Sequence, residues 1–196
     1  MPSMHTLKPF DFVGWIKEHQ HLLQPPVGNK VVWEDADMTV MVVGGPNERT
    51  DYHDDPMEEF FFMIKGDMVL RVMEEPGQPP KDIKIKQGEV FLLPAHVRHS
   101  PQREADSVGL VIEPKRTEGK QDAFEWYCLN CHHLVHRHEF ILEDIEKDLP
   151  PIFNAFYESK SLRTCIECGE LHPGKEIPKG FDDIVDETIE TEILSE

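Results

Sequence analysis

The 196-residue chain sets 38 Asp+Glu against 20 Lys+Arg, a net charge of −18, with an apolar share of 39%. That supplies a folded core and opposes binding to nucleic acid or an anionic membrane. No run reaches the roughly 18 apolar residues that span a bilayer, and no basic segment followed by an apolar stretch opens the chain, so a cytoplasmic protein is expected.

Residues 10–24 predict a helix: Asp11 is a candidate cap, apolar residues recur at helical spacing, and Pro25-Pro26 stop the run. From about 31 to 114 the pattern is β. VVWE, MTVMVVGG, EFFFMIKG, MVLRVMEE, DIKIKQG, EVFLLP and SVGLVIEP are short runs rich in β-branched and aromatic residues, separated by Gly- and Pro-containing turn formers. Strands so closely spaced predict an antiparallel sandwich or small barrel. After Pro114 the character changes. KRTEGKQDAFEWYC leads into a first cysteine pair, HEFILEDIEKDL predicts an amphipathic helix ended by Pro150-Pro151, and a second cysteine pair follows IFNAFYES. The expected organisation is a barrel with its N-terminal helix over 1–114, an appendage over 115–180 and an acidic tail over 181–196. Residues 182–196 hold seven acids and no base, the composition of a solvated end.

His53, Glu59 and His99 are the candidate chemistry of the β region. Two imidazoles and a carboxylate on one face of an octahedron leave positions open for a chelating substrate and O2, as in non-haem Fe(II) oxygenases. Six residues intervene between Glu59 and Gly66 and five between Gly88 and Pro94, with His99 five positions beyond that proline. This spacing resembles the two cupin motifs. There are departures: Tyr52-His53 replaces the usual H-x-H opening, and Arg103 stands where the second motif has Asn. Arg49 lies four before His53 and Arg103 four after His99. On strands, even separation places side chains on one face. The arginines are then either inward anion-binding groups or surface ion pairs in an acid-rich protein. Glu113 is either a rim residue or an inward acid able to accept a proton. Asp51 is either a carboxylate that orients a ligand or a turn residue.

Cys128-x-x-Cys131 and Cys165-x-x-Cys168 together predict a tetrahedral four-thiolate site for Fe or Zn, structural in role. His132, His133, His136 and His138 form a rival cluster, of which His132 and His136 could share a helical face; they are read as surface or interface residues.

The strings GGPNERTDYH, EEFFFMIKGDM, HSPQR and VIEP, continued by FEWYC, HLVHR and DLPPIF, resemble the 3-hydroxyanthranilate 3,4-dioxygenase family over residues 5–180. The resemblance implies a mainly β, cupin-type double-stranded β-helix (jelly-roll) barrel with an N-terminal helix and a C-terminal metal-bound appendage. It implies catalytic Fe(II) on His53, Glu59 and His99, and substrate contacts from Arg49, Arg103, Glu113 and Glu59. Arg49 would also face O2, and Asp51 and Phe61 would lie near the site. It implies a second, rubredoxin-like Fe or Zn on Cys128, Cys131, Cys165 and Cys168. The implied reaction opens 3-hydroxyanthranilate between carbons 3 and 4 with O2. This gives 2-amino-3-carboxymuconate semialdehyde, the precursor of quinolinate in NAD biosynthesis by the kynurenine pathway of tryptophan catabolism. A homodimer without nucleic-acid or membrane partners is implied too. Two other classes compete: a non-catalytic zinc-ribbon/cupin interaction module, and a cupin isomerase or sugar-phosphate enzyme whose arginines hold phosphate.

Overall fold

The computed structural model describes residues 7–24, 28–143 and 145–176. The Pro25-Pro26 helix stop and the acidic tail lie outside the described residues. Helix α1 (Phe12–His19) begins where expected: the Asp11 carboxylate accepts from the Gly14 N–H at 2.9 Å and satisfies one of the free amides of the first turn. Its buried Trp15 packs with Leu23, Val32 and Val42, covering part of one sheet's outer face.

Eleven strands follow among the described residues: β1 (Asn29–Val31), β2 (Met38–Gly44), β3 (Asp51–Asp54), β4 (Glu59–Lys65), β5 (Met68–Met73), β6 (Lys81–Ile85), β7 (Val90–Leu93), β8 (Arg98–Arg103), β9 (Val108–Pro114), β10 (Asp122–Tyr127) and β11 (Leu134–Phe140). They form two antiparallel sheets, ordered β1-β2-β9-β4-β7 and β11-β10-β3-β8-β5-β6. Within these, β2-β9-β4-β7 faces β3-β8-β5-β6, and the chain passes repeatedly from one sheet to the other. That is the jelly-roll winding expected from the resemblance. Alternation sorts the side chains. Phe61, Met63, Leu93 and Val111 from the first sheet meet Met68, Leu70, Val72 and Ile85 from the second, and form the apolar core between them.

Four strands, β3, β8, β10 and β11, escape a search for apolar alternation. β3 (DYHD) and β8 (RHSPQR) are polar because they carry site residues. β10 (DAFEWY) is buried along its whole length, so it shows no alternation. It pairs with β3, Phe124 opposite His53 and Trp126 opposite Asp51, so the chain after Pro114 begins as two further strands of the barrel's own sheet.

The helix expected to end at Pro150-Pro151 instead starts later and runs through them: α2 spans Ile145–Glu158, and residues 138–140 belong to β11. Both prolines are solvent-exposed. The carbonyls they deprive of N–H partners lie one turn earlier on that same side, where water can replace the bond. The opposite side buries Ile152 and Phe156 against Phe124 and Trp126, with the Trp126 and Phe156 rings stacked at 4.1 Å. Tertiary burial therefore outweighs the local proline signal. A short helix α3 (Lys160–Arg163), capped by Ser159, leads to the second cysteine pair. His132 and His136 share no helix: His132 sits in a turn at φ 58° and His136 lies on β11, its ring 5.8 Å from that of Phe156.

Candidate active site

His53 and His99 are direct partners across β3 and β8, which places their rings 5.5 Å apart on one face. Glu59 opens β4 in the opposing sheet, and its Oε1 lies 3.1 Å from His99 Nε2 and 3.7 Å from His53 Nδ1. The outer nitrogens fix the tautomers. His99 Nδ1 lies 2.8 Å from the Val97 carbonyl, which only accepts, so Nδ1 carries the proton and donates. His53 Nε2 donates likewise to the Asp122 carboxylate at 2.9 Å. Two ring lone pairs and one carboxylate oxygen are left converging on a point. Glu59 Oε1 is buried and accepts no aligned hydrogen bond. An orphaned buried carboxylate oxygen is costly unless a cation completes it. Burial pushes the Glu59 carboxyl up, but with no metal bound the charge His99 and His53 carry when protonated outweighs it and pulls Glu59 down to about 2. These residues fit a divalent metal, and the ligand atoms lie within 4.8 Å of one another.

Around this centre the charges are ordered. Arg103 is buried at the end of β8, and among the described residues no acid forms an ion pair with it. Its nearest hydrogen-bond partner is a weak one, Met63 Sδ at 3.6 Å from Nη1. Burial lowers its pKa to about 10, with Arg49 pushing the same way and Glu59 opposing, so it remains a cation at neutral pH. Arg49 precedes β3 rather than lying on it, and is partly exposed. Its Nε donates to Asp51 at 3.0 Å, and the guanidinium rests over Phe124 at 5.6 Å and Phe153 at 6.0 Å. Asp51 therefore orients Arg49, not a histidine. Phe61, facing inward from β4, lies 6.3 Å from the His99 ring.

Glu113 is inward and buried, and burial raises its pKa against the pull of Arg116. It belongs to a network that sequence reasoning missed. Arg116 donates to Glu113, to Asp55 at 2.6 Å and to Asp122 at 2.7 Å. Burial and the neighbouring Glu113 and Glu59 carboxylates push Asp55 up to about 8, against His53 and Arg116. One guanidinium thus serves three buried acids and, through Asp122, the back of His53. An acid opening the apolar run DAFEWY was the available signal. A cavity of about 560 Å³ reaches Glu113 and Arg116 from outside, with Asn29, Trp33, Met41 and Leu142 in its walls.

The four cysteines form a second cluster, their sulfurs within 4.8 Å of one another and none in a disulfide. Two turns of the same design present them. The Cys128 carbonyl accepts from the His132 N–H at 2.9 Å, and the Cys165 carbonyl from the Gly169 N–H at 2.9 Å. His132 and Gly169 both take the left-handed conformation, at φ 58° and 76°. The Glu170 N–H pulls Cys168 down to about 6, toward the thiolate that a metal needs. This unit is tied to the barrel: Thr50 Oγ1 donates to the Gly174 carbonyl at 2.7 Å, next to Arg49.

Residues 4–157 match the model of the family described as 3-hydroxyanthranilic acid dioxygenase. The chain belongs to this family. It is 61% identical to the 3-hydroxyanthranilate 3,4-dioxygenase of Ruegeria pomeroyi, over 91% of this chain and 98% of that protein. It is 62% identical to the protein of the same name from Shewanella woodyi, over 91% and 94%. Among solved structures, a cupin-2 domain containing protein from Shewanella frigidimarina is similar at 19% identity and TM-score 0.44, over 56% of this chain and 98% of that one. As family members are enzymes by name, the non-catalytic module is not favoured. Among the described residues no helix is long and apolar enough to cross a membrane.

Proposed function

We propose that this dioxygenase-family chain opens the ring of 3-hydroxyanthranilate with O2 between carbons 3 and 4, giving 2-amino-3-carboxymuconate semialdehyde. The observation that carries the assignment of residues is the pairing of an orphaned Glu59 oxygen between two imidazoles with an unpaired, buried Arg103 nearby. The first calls for a cation, the second for an anion, and an aminophenol bearing a carboxylate satisfies both.

His53, Glu59 and His99 would hold Fe(II). Bound there, iron supplies the one-electron chemistry that lets O2 react with a closed-shell ring. The chain's own groups do the rest. Arg103 takes the substrate carboxylate through its planar fork, joined by Arg49, whose angle Asp51 and the Phe124–Phe153 shelf set. Glu113, held by Arg116, accepts a hydrogen bond from the amino or hydroxyl group of the ring. The surrounding apolar wall of Phe61, Met63 and Val111 excludes water and strengthens these contacts. Phosphate binding by the same arginines is less well supported, because one planar carboxylate matches a single unpaired fork. The second metal, Fe or Zn, would sit on the four thiolates in a structural role. Val90 and Leu92, 60% and 56% exposed on the edge strand β7, support a homodimer.

The test is O2 consumption by iron-loaded protein on adding 3-hydroxyanthranilate, with one O2 used per substrate and a new near-ultraviolet chromophore. Fully loaded, reduced protein that consumes no O2 overturns the assignment.

A further inference from the structure

β9 reads VGLVIEP, and its burial alternates strictly: Gly109, Val111 and Glu113 face inward, Val108, Leu110 and Ile112 outward. Gly109 is therefore an inward position without a side chain, in a strand whose other inward residues are full-sized. A glycine inside a strand costs stability and marks the close approach of something else. Here the approaching group is Arg103. A Cβ at residue 109 would lie 2.6 Å from Arg103 Nη1 and 3.2 Å from Met63 Sδ. The first contact is shorter than van der Waals packing allows. The colliding atom is the tip of a flexible side chain, so the guanidinium would yield and the sheet would not. Met63 pairs with Gly109 across β4 and β9 and closes the other side of the slot with the sulfur that Nη1 meets at 3.6 Å.

We propose that Gly109 is a specificity-determining residue: its missing side chain is the seat that holds the Arg103 guanidinium where the substrate carboxylate must arrive. The inference rests on the carboxylate-binding role given to Arg103 above. Two weak neighbours, a glycine with no side chain and a thioether that accepts only weakly from Nη1, bracket the guanidinium and leave its remaining donors to a ligand. An acid on that wall would neutralise the cation and a larger residue would turn its fork. The seat thus selects ring substrates that carry a carboxylate over those bearing the hydroxyl–amino pair alone.

The experiment compares anaerobic equilibrium binding of 3-hydroxyanthranilate and of 2-aminophenol, which lacks the carboxylate, to the iron-loaded wild type, Gly109→Ala and Arg103→Ala. Gly109→Ala should cut the preference for 3-hydroxyanthranilate roughly tenfold, the scale of one charged hydrogen bond, with 2-aminophenol affinity and iron content unchanged. Arg103→Ala should cut it further. If Arg103→Ala removes the preference while Gly109→Ala leaves it within twofold, the inference fails and the carboxylate role of Arg103 stands. If neither variant changes it, that role fails and the inference with it. Should Gly109→Ala not fold, the Gly109→Ala/Arg103→Ala double variant decides. With the guanidinium gone it should fold as well as Arg103→Ala alone, and a double variant that stays unfolded places the clash in the sheet and overturns the proposal.

Discussion

Asp122 offers the sharpest test of how the barrel presents its metal ligands. Its carboxylate accepts from His53 Nε2 at 2.9 Å and from Arg116 at 2.7 Å, so one side chain sets the tautomer of a ligand and anchors the cation behind it. Replacing a carboxylate of this kind lowers metal affinity by about 10–100-fold. In Asp122→Asn three features act to limit the loss. The amide oxygen still accepts from Nε2–H, the His53 ring still stacks on Phe124 at 5.1 Å, and its backbone is still paired on both sides. Orientation is largely kept and only the charge is lost, so the lower bound applies: about tenfold, or ~1.4 kcal/mol. Asp122→Ala loses the acceptor too and should fall toward the upper bound. Anaerobic competition between protein and a chelator for Fe(II) measures both. Equal affinities in wild type and Asp122→Ala would refute the account, since they would mean that Asp122 has no hold on the ligand.

Phe153→Ala removes half of the shelf under Arg49; losing about 1 kcal/mol of cation–π contact should weaken substrate binding roughly fivefold with iron content intact, as measured by anaerobic titration. His172 is pushed down from 6.5 to about 4, mainly by burial and secondarily by Arg163, with Asp51 opposing. The unfolded chain takes up its proton first, so this stabilisation is complete above pH 6.5 and is lost as pH falls toward 4. Denaturant titrations of wild type and His172→Gln at pH 4 and 7 should differ in their acid-side loss by roughly 3 kcal/mol, and parallel curves would contradict the assignment. Cys165→Ser should remove one metal per chain and lower the melting temperature while leaving the other metal in place, as metal analysis and calorimetry report.

The residues that make chemistry were more legible than the strands that carry them. His53, Glu59 and His99 stand out by spacing, and Asp11 announces α1, because both signals are local. β3 and β8 were hidden because their inward positions hold histidines and arginine where a core strand would show valine. Asp122, Asp55 and Arg116 were invisible for another reason. Their roles arise from β10 pairing with β3, a contact across 69 residues for which the sequence has no local mark. Gly109 is, in the sequence, one residue of an apolar run, and its meaning depends on where a distant guanidinium ends. Pro150 and Pro151 misled in the opposite sense: their local veto is real, but exposure makes it cheap and the aromatic face of α2 outweighs it.

The pairing of β10 along β3 means the barrel cannot be shortened at Pro114 without consequence. A chain ending there would turn β3 into an open edge, its amides and carbonyls offered to any passing strand. The same cut would leave His53 without its acceptor and Arg49 without its shelf. The later half of the molecule is therefore no accessory that a minimal enzyme could shed.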